Sequence, residues 1–173
     1  MKILSLDPSL SETGWYFKVE NTEEFGIIKT KTKNIERLID IRTEIEKLIN
    51  YFKPEIIIYE DYSFGSRGRG VFSLGELGGV LKTLIYEKNV KLIIVNSMQW
   101  KKFVLDKGNL KKEQVLMQVY KKFGKEFKNN NICDAFCLYK FGEAYSNYMN
   151  GSREFKKYEL DVLEKFSKEP DEL

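Results

Sequence analysis

Three consecutive isoleucines, Ile56, Ile57 and Ile58, constrain the fold of this chain more than any other stretch. A run that is apolar at every position is typical of a strand buried on both faces, and such strands belong mainly to parallel sheets. An amphipathic helix is predicted just before it, from Asn34 to Phe52, because isoleucine and leucine recur there at three- and four-residue spacing. A helix that leads into a buried strand forms a crossover connection. The sequence therefore predicts an α/β fold.

Two of the predicted strands end in an acidic residue. The first strand is a short apolar run that stops at Asp7, and the isoleucine strand stops at Glu60. A carboxylate at the end of a buried strand is costly unless it meets a cation or hydrogen-bond donors. The two strands can lie side by side in a mixed sheet, which would bring Asp7 and Glu60 together. Two alternatives stay open: Asp7 satisfies the backbone of its own Asp-Pro turn, or Asp61 faces Asp7 in place of Glu60.

A third acid, Asp134, opens a largely buried helix that begins near Asn131. Carboxylate oxygens suit Mg²⁺ or Mn²⁺, and two such ions can activate a water and stabilise the leaving oxygen of a phosphodiester. The chain contains 0 histidines, which excludes a Ser-His-Asp triad and a His-ligated zinc site but not metal-assisted hydrolysis. A structural alternative for this pair is that Asn131 caps the helix and Asp134 favours its dipole.

Two basic segments are candidates for contact with phosphates. The first follows Glu60 and combines aromatic and arginine side chains with glycines: Tyr62, Phe64, Arg67 and Arg69. The second spans residues 101–112 and contains five lysines. The alternative for each is an ordinary solvated loop. A net charge of +3 permits nucleic-acid binding without requiring it, so the distribution of charge matters more.

Glycines are unusually frequent in the helix predicted from Val71 to Lys88. Gly75, Gly78 and Gly79 each destabilise a helix interior by about 1 kcal/mol relative to alanine. We therefore expect this helix to pack closely against another backbone.

Four stretches, in order, resemble the RuvC family of Holliday junction resolvases: LDPSLSETGW, IIIYEDYSFG, KGNLKKEQV and NICDAFCLYKFGEA. The resemblance extends over residues 1–144 and is closest to the phage-type members. Sugar kinases and actin-like ATPases share the first stretch alone, but an actin-like ATPase needs a longer, two-lobed chain. The resemblance implies an RNase H-like fold, with a five-stranded mixed sheet flanked by helices on both sides. We assign this nuclease domain to residues 1–149 and a charged, helical C-terminal extension to residues 150–173.

The resemblance also implies a homodimeric endonuclease that cuts paired strands of a four-way DNA junction, leaving 5′-phosphate and 3′-hydroxyl ends. By residue match, Asp7, Glu60 and Asp134 would bind Mg²⁺ or Mn²⁺, with two ions in each active site. An ion-bound water would attack the phosphorus in line. The fourth metal-binding position of the family falls at Asn131, whose amide oxygen can coordinate an ion but carries no charge. We therefore expect the second ion to bind more weakly or with more waters.

The remaining site residues would contact DNA. Lys112 would lie beside the scissile phosphate and neutralise developing charge, with Lys107 and Lys111 as weaker candidates for the same role. Tyr62 or Phe64 falls where the family places an aromatic near the junction centre, and its ring could stack on an unpaired base.

Two other functions stay open: a general nuclease for branched or flap DNA, and a protein that binds branched DNA without cutting it. The second draws support from the missing fourth carboxylate at Asn131. No apolar run approaches the ~20 residues that span a bilayer, and Asp7 comes too early for a secretory signal. We therefore expect no membrane partner and a cytoplasmic location, which is that of the bacterial host if the chain is phage-encoded.

Overall fold

The computed structural model describes residues 1–61 and 69–168, and the side chains of these residues except 69 and 70. The described residues form five strands and six helices. The strands are Ile3–Asp7 (β1), Thr13–Val19 (β2), Thr22–Ile28 (β3), Ile56–Glu60 (β4) and Lys91–Val95 (β5). The helices are Asn34–Phe52 (α1), Arg69–Glu87 (α2), Ser97–Leu105 (α3), Lys112–Phe123 (α4), Asn130–Met149 (α5) and Lys157–Lys168 (α6).

The strands make one mixed sheet in the order β3-β2-β1-β4-β5. β2 runs antiparallel to both of its neighbours, whereas β1, β4 and β5 are parallel to one another. The isoleucine strand β4 lies between β1 and β5. Ile57 packs into the apolar cluster of α1 and α2, and Ile58 packs into the cluster of α3 to α6 on the other face. The predicted five-stranded mixed sheet with helices on both sides is confirmed.

Helix α5 lies unusually close to the sheet. An added Cβ at Gly142 would stand 2.4 Å from the Cγ1 atom of Ile58, so only glycine permits this approach of the helix to β4. Helix α5 also contacts β1 and β2. The helix that carries Asp134 is therefore packed across the central strands.

The three glycines of the helix α2 differ in exposure: Gly78 is buried, whereas Gly75 and Gly79 are exposed. Within the described part of the chain, an added Cβ at Gly79 would meet no atom within 4 Å. Gly79 shares a stripe of the helix with Phe72 and Tyr86, which are 76% and 84% exposed. The expected close packing of this helix against another backbone stays a prediction.

The C-terminal extension contains the predicted helix, α6. Its residues Val162, Leu163 and Phe166 belong to the same buried cluster as Trp100 of α3. The ring of Phe166 meets that of Phe141 edge-on, with 5.1 Å between centroids. The division of the chain into a nuclease domain and an extension stays a prediction. Among the described helices, none combines the length and apolar character needed to cross a bilayer.

Candidate active site

The ends of β1 and β4 place two acids side by side. The strands are parallel and in register, with Leu6 opposite Tyr59, so Asp7 and Glu60 follow at the same edge of the sheet. Asp134 approaches them from α5. All three carboxyl groups keep some exposure. The structure thus brings together the three acids that the sequence singled out.

The pKa values of these acids show how closely they interact. Burial raises the pKa of Asp7 well above its ordinary value, and the charges of Glu60 and Asp134 raise it further. Burial also raises the pKa of Glu60 to about 7, with Asp134 adding to the effect. The pKa of Asp134 rises to about 6, again because the group is buried. The site therefore disfavours the charged form of all three acids, mainly because they are buried.

Two contacts hold the start of α5 against the sheet. The buried hydroxyl of Ser5 donates a hydrogen bond to the carbonyl of Ala135 at 2.6 Å. An added Cβ at Gly14 would stand 2.2 Å from the carbonyl oxygen of Asn131, so a glycine is needed where β2 meets the helix. Since Gly14 pairs directly with Asp7 in the sheet, this close approach sets the distance between β1 and α5.

The choice between Glu60 and Asp61 is settled by their partners. The charge of Glu60 acts on Asp7, and its Oε2 atom accepts a hydrogen bond from Nε1 of Trp100 at 3.0 Å. Asp61 lies 4.0 Å from Nζ of Lys82 instead. Glu60 is therefore the strand-end acid that belongs to the cluster.

The structural alternative for Asn131 and Asp134 is wrong. Asn129 is the N-cap of α5, and its side chain accepts from the backbone N–H groups of Asn131 and Ile132. Asp134 lies beyond the first turn, where the helix dipole offers little. The two asparagines are close in sequence, and either could have capped the helix. The amide nitrogen of Asn131 donates to the carbonyl of Glu12 at 2.6 Å, which leaves its oxygen as the possible ligand atom.

Two lysines act on the acid cluster. Lys112, the first residue of α4, and Lys101 of α3 both lower the pKa values of all three acids. Lys101 was not among the predicted site residues. The signal in the sequence is its place at the start of the lysine-rich segment 101–112, although nothing there separates Lys101 from the other lysines. Lys107 and Lys111 lie exposed on the segment between α3 and α4.

The predicted aromatic and arginine contacts cannot be placed. Tyr62, Phe64 and Arg67 lie outside the described residues. Arg69 begins α2, but its side chain is also outside the described part. Their contact with DNA stays a prediction.

The donor set fits a divalent cation. Across residues 1–61 and 69–168, no three His, Cys, Asp or Glu side chains already stand close enough to enclose an ion. Asp7, Glu60 and Asp134 nevertheless supply only oxygen donors, the ligands that Mg²⁺ and Mn²⁺ prefer. Burial raises the pKa values of all three acids, and neighbouring acids add to the effect at Asp7 and Glu60; a bound cation would offset both causes.

A sheet of this order, with acids at the ends of adjacent parallel strands and on a helix packed across them, defines an RNase H-like nuclease fold. The sequence profile of the family described as Crossover junction endodeoxyribonuclease RuvC matches residues 3–139. A RuvC protein of Ehrlichia canis is 30% identical over 145 residues, which is 80% of this chain and 93% of the relative. The chain belongs to the RuvC family.

Solved structures agree with this fold. The Thermus thermophilus RuvC structure matches with a TM-score of 0.70 at 19% identity, covering 86% of this chain and 97% of that one. The same protein in complex with a Holliday junction substrate matches with a TM-score of 0.68 at 20% identity, covering 80% and 90%. The predicted RNase H-like fold and the resemblance to RuvC are both confirmed.

Proposed function

We propose that this protein is a structure-selective DNA endonuclease that resolves four-way junctions by metal-dependent hydrolysis of phosphodiester bonds. The observation that carries the proposal is the convergence of Asp7, Glu60 and Asp134, faced by Lys101 and Lys112, in a RuvC-family chain. The RuvC family consists of metal-dependent nucleases. The junction complex of the Thermus relative supports branched DNA as the partner.

The three acids would hold Mg²⁺ or Mn²⁺, two ions per site, with the oxygen of Asn131 as an uncharged fourth ligand. When bound, such cations supply positive charge to the phosphate and lower the pKa of a water. Asp7 and Glu60, fixed at rigid strand ends, would set the position of the reacting phosphate. Asp134 would complete the set from α5. The burial that raises their pKa values also strengthens every charge interaction within the site.

Lys101 and Lys112 would act on the DNA. Each lies near enough to the acids to lower their pKa values, and so near enough to neutralise charge that develops on the phosphate. Lys107 and Lys111, exposed between α3 and α4, would contact the DNA backbone further away. Tyr62 or Phe64 would stack at the junction centre, with Arg67 and Arg69 beside them.

Paired cutting requires two active sites, so the functional unit would be a homodimer. The exposed stripe of Phe72, Gly79 and Tyr86 on α2 is the surface that best suits the interface. Gly79 would let a second backbone approach closely, which would explain a glycine on the exposed face of this helix. We place this activity in the cytoplasm, where such an enzyme meets its DNA. The assignment to the phage-type members stays a prediction.

A labelled four-way junction, incubated with Mg²⁺ or Mn²⁺, tests the proposal. We expect the native protein to cut paired strands symmetrically and to cut a flap substrate more slowly. Asp7→Asn should bind the junction but not cut it. Asp61→Asn is the matched control, because it neutralises a neighbouring strand-end acid that faces Lys82, and it should still cut.

Two results would change the conclusion. Equal cutting of flaps and junctions would make the protein a general branched-DNA nuclease. Binding without cutting by the native protein, with either metal, would make it a branched-DNA binding protein. In that case, Asn131→Asp would test whether the uncharged fourth position is responsible.

A further inference from the structure

Trp100 joins the acid cluster through a hydrogen bond that no sequence pattern indicated. Its Nε1–H group donates to Oε2 of Glu60 at 3.0 Å, and its ring is fully buried. The bond lowers the pKa of Glu60, opposing the stronger effect of burial. Lys101 lies beside the same ring, with its Nζ atom 5.2 Å from the centroid. One residue of α3 therefore contacts the carboxylate, and the next supplies a cation.

Hydrogen bonds hold helix α3 at both ends, and this fixes the direction of the Trp100 indole. At its start, Asn96 and Gln99 form a reciprocal cap: Oδ1 of Asn96 accepts from the Gln99 backbone N–H at 2.9 Å, and Oε1 of Gln99 accepts from the Asn96 N–H at 3.1 Å. Near its other end, Nζ of Lys122 donates to the carbonyl of Val104 at 2.7 Å. Such a reciprocal cap satisfies two backbone donors and defines where the helix begins. The fold of the chain therefore holds the indole N–H group in a fixed position toward Glu60.

An indole is an unusual partner for a cation-binding carboxylate. It donates one hydrogen bond and carries no charge, so it orients the group without competing electrostatically with a metal ion. The bond restricts the rotation of the Glu60 carboxylate, and Oε1, which this bond does not engage, would then be the oxygen presented to a cation. Hydrogen bonds of this kind to metal-binding side chains fix ligand orientation, and their loss typically weakens metal affinity or activity by about 10–100-fold.

We propose that Trp100 is a positioning residue that holds Glu60 so that one oxygen is presented to the catalytic cation. This inference rests on the proposed function, because it assumes that Glu60 is a metal ligand. It also goes beyond that function, since it assigns the geometry of one ligand to a residue outside the acidic set.

The first test compares Trp100→Phe with Trp15→Phe, since the chain has two tryptophans. Trp100→Phe keeps a buried aromatic ring and removes the donor. Trp15→Phe removes the other indole, which packs against Phe52 at 5.7 Å on the opposite face of the sheet. Mn²⁺ binding without DNA is measured by calorimetry, and junction cleavage is measured against Mg²⁺ concentration. Thermal unfolding of each variant is recorded in EDTA.

We expect Trp100→Phe to weaken Mn²⁺ binding by about 10–100-fold, and to regain cleavage when the cation is in large excess. Trp15→Phe should leave both properties unchanged. A merely structural role for Trp100 would lower the unfolding temperature and the cleavage rate without altering the cation dependence. That result, or an unchanged Mn²⁺ affinity, would overturn the proposal.

A second measurement uses the native chain, in case Trp100→Phe fails to fold. The two indole N–H resonances are assigned with Trp15→Phe, and Mg²⁺ is titrated. We expect the Trp100 resonance to shift with the occupancy of the site, and the shift to vanish in Glu60→Gln. Cation binding without a response of this resonance overturns the role of Trp100 alone. Absence of any cation binding by the native protein overturns the proposed metal site, and this inference with it.

Discussion

Gly14→Ala provides the most direct test of how the site is assembled. An added Cβ at this position would stand 2.2 Å from the carbonyl oxygen and 2.4 Å from the carbonyl carbon of Asn131. Both are backbone atoms and cannot rotate away. Restoring ordinary contact requires the start of α5 to move from β2 by roughly 1 Å, and overpacking of this kind destabilises a fold by about 1–3 kcal/mol.

The displacement should affect cleavage more than folding. Asp134 lies on the displaced turn, whereas Asp7 is paired with Gly14 and stays in the sheet. A misplacement of about 1 Å can slow a reaction by about 100-fold. We therefore expect Gly14→Ala to be folded, to bind junctions through the lysines of α3 and α4, and to cut them at least about tenfold more slowly.

The assay combines urea unfolding with cleavage of a labelled junction at saturating cation. Gly26→Ala is the matched control: it adds the same methyl group to the adjacent strand, where the obstructing atoms belong to the side chain of Trp15, 2.9 Å away. It should lose stability but keep its cleavage rate per folded molecule. If Gly14→Ala keeps full cleavage, or loses it only in proportion to the unfolded fraction, the role given to this contact is wrong.

Three further predictions follow from the same structure. Because burial raises the pKa of Glu60 to about 7, metal-free protein should lose stability as pH rises from about 4.5 to 7, and the raised pKa values of Asp7 and Asp134 add to the same loss. Glu60→Gln should remove the share that belongs to Glu60. It should be more stable than the native chain at pH 8 by about 1–3 kcal/mol in EDTA thermal unfolding, with no difference below about pH 4. A stabilisation that persists at pH 4 would contradict this cause. Gly79→Ala should raise the free energy of unfolding by about 0.5–1 kcal/mol, while sedimentation shows weaker dimerisation; an unchanged dimer would remove α2 from the interface. Lys112→Ala should slow cleavage more than it weakens binding. Lys107→Ala should instead lower the slope of the log binding constant against log salt concentration by about one unit, without a separate effect on cleavage. The reverse pattern in gel-shift and cleavage assays would exchange the roles of the two lysines.

The acidic residues of the site could be predicted from the sequence, because the end of an apolar run shows where a buried strand ends. Asp7 and Glu60 each end an apolar run, and parallel strands bring such ends to one edge. The helix bearing Asp134 was recognisable from its buried residues. Its exact start was not, because Asn129 and Asn131 are equally good caps and only the packing of α5 on β2 decides between them.

The contribution of α3 to the site could not be predicted, because it depends on how this helix is rotated and packed against the sheet. Trp100 lies on α3, and nothing in the sequence of a nine-residue helix tells which face meets Glu60. The position of Lys101 relative to the acids depends on the same rotation of α3. The contact of α6 with α3 could not be predicted either. The sequence of an amphipathic helix shows that the helix has an apolar face, but not which element that face packs against. The glycines of α2 predict a close backbone neighbour, but a sequence does not tell whether that neighbour belongs to the same chain or to a second one.

The hydrogen bond between Ser5 and Ala135 joins residues 130 positions apart. It links β1 to a helix, α5, that is synthesised after the rest of the sheet. The carboxylates that form the site are likewise spread over the chain, at positions 7, 60 and 134. Contacts of such long range form late, because the chain between them must first be ordered. A ribosome-bound fragment that ends before α5 thus carries two of the three acids, and we expect such a fragment to lack nuclease activity until Asp134 is added.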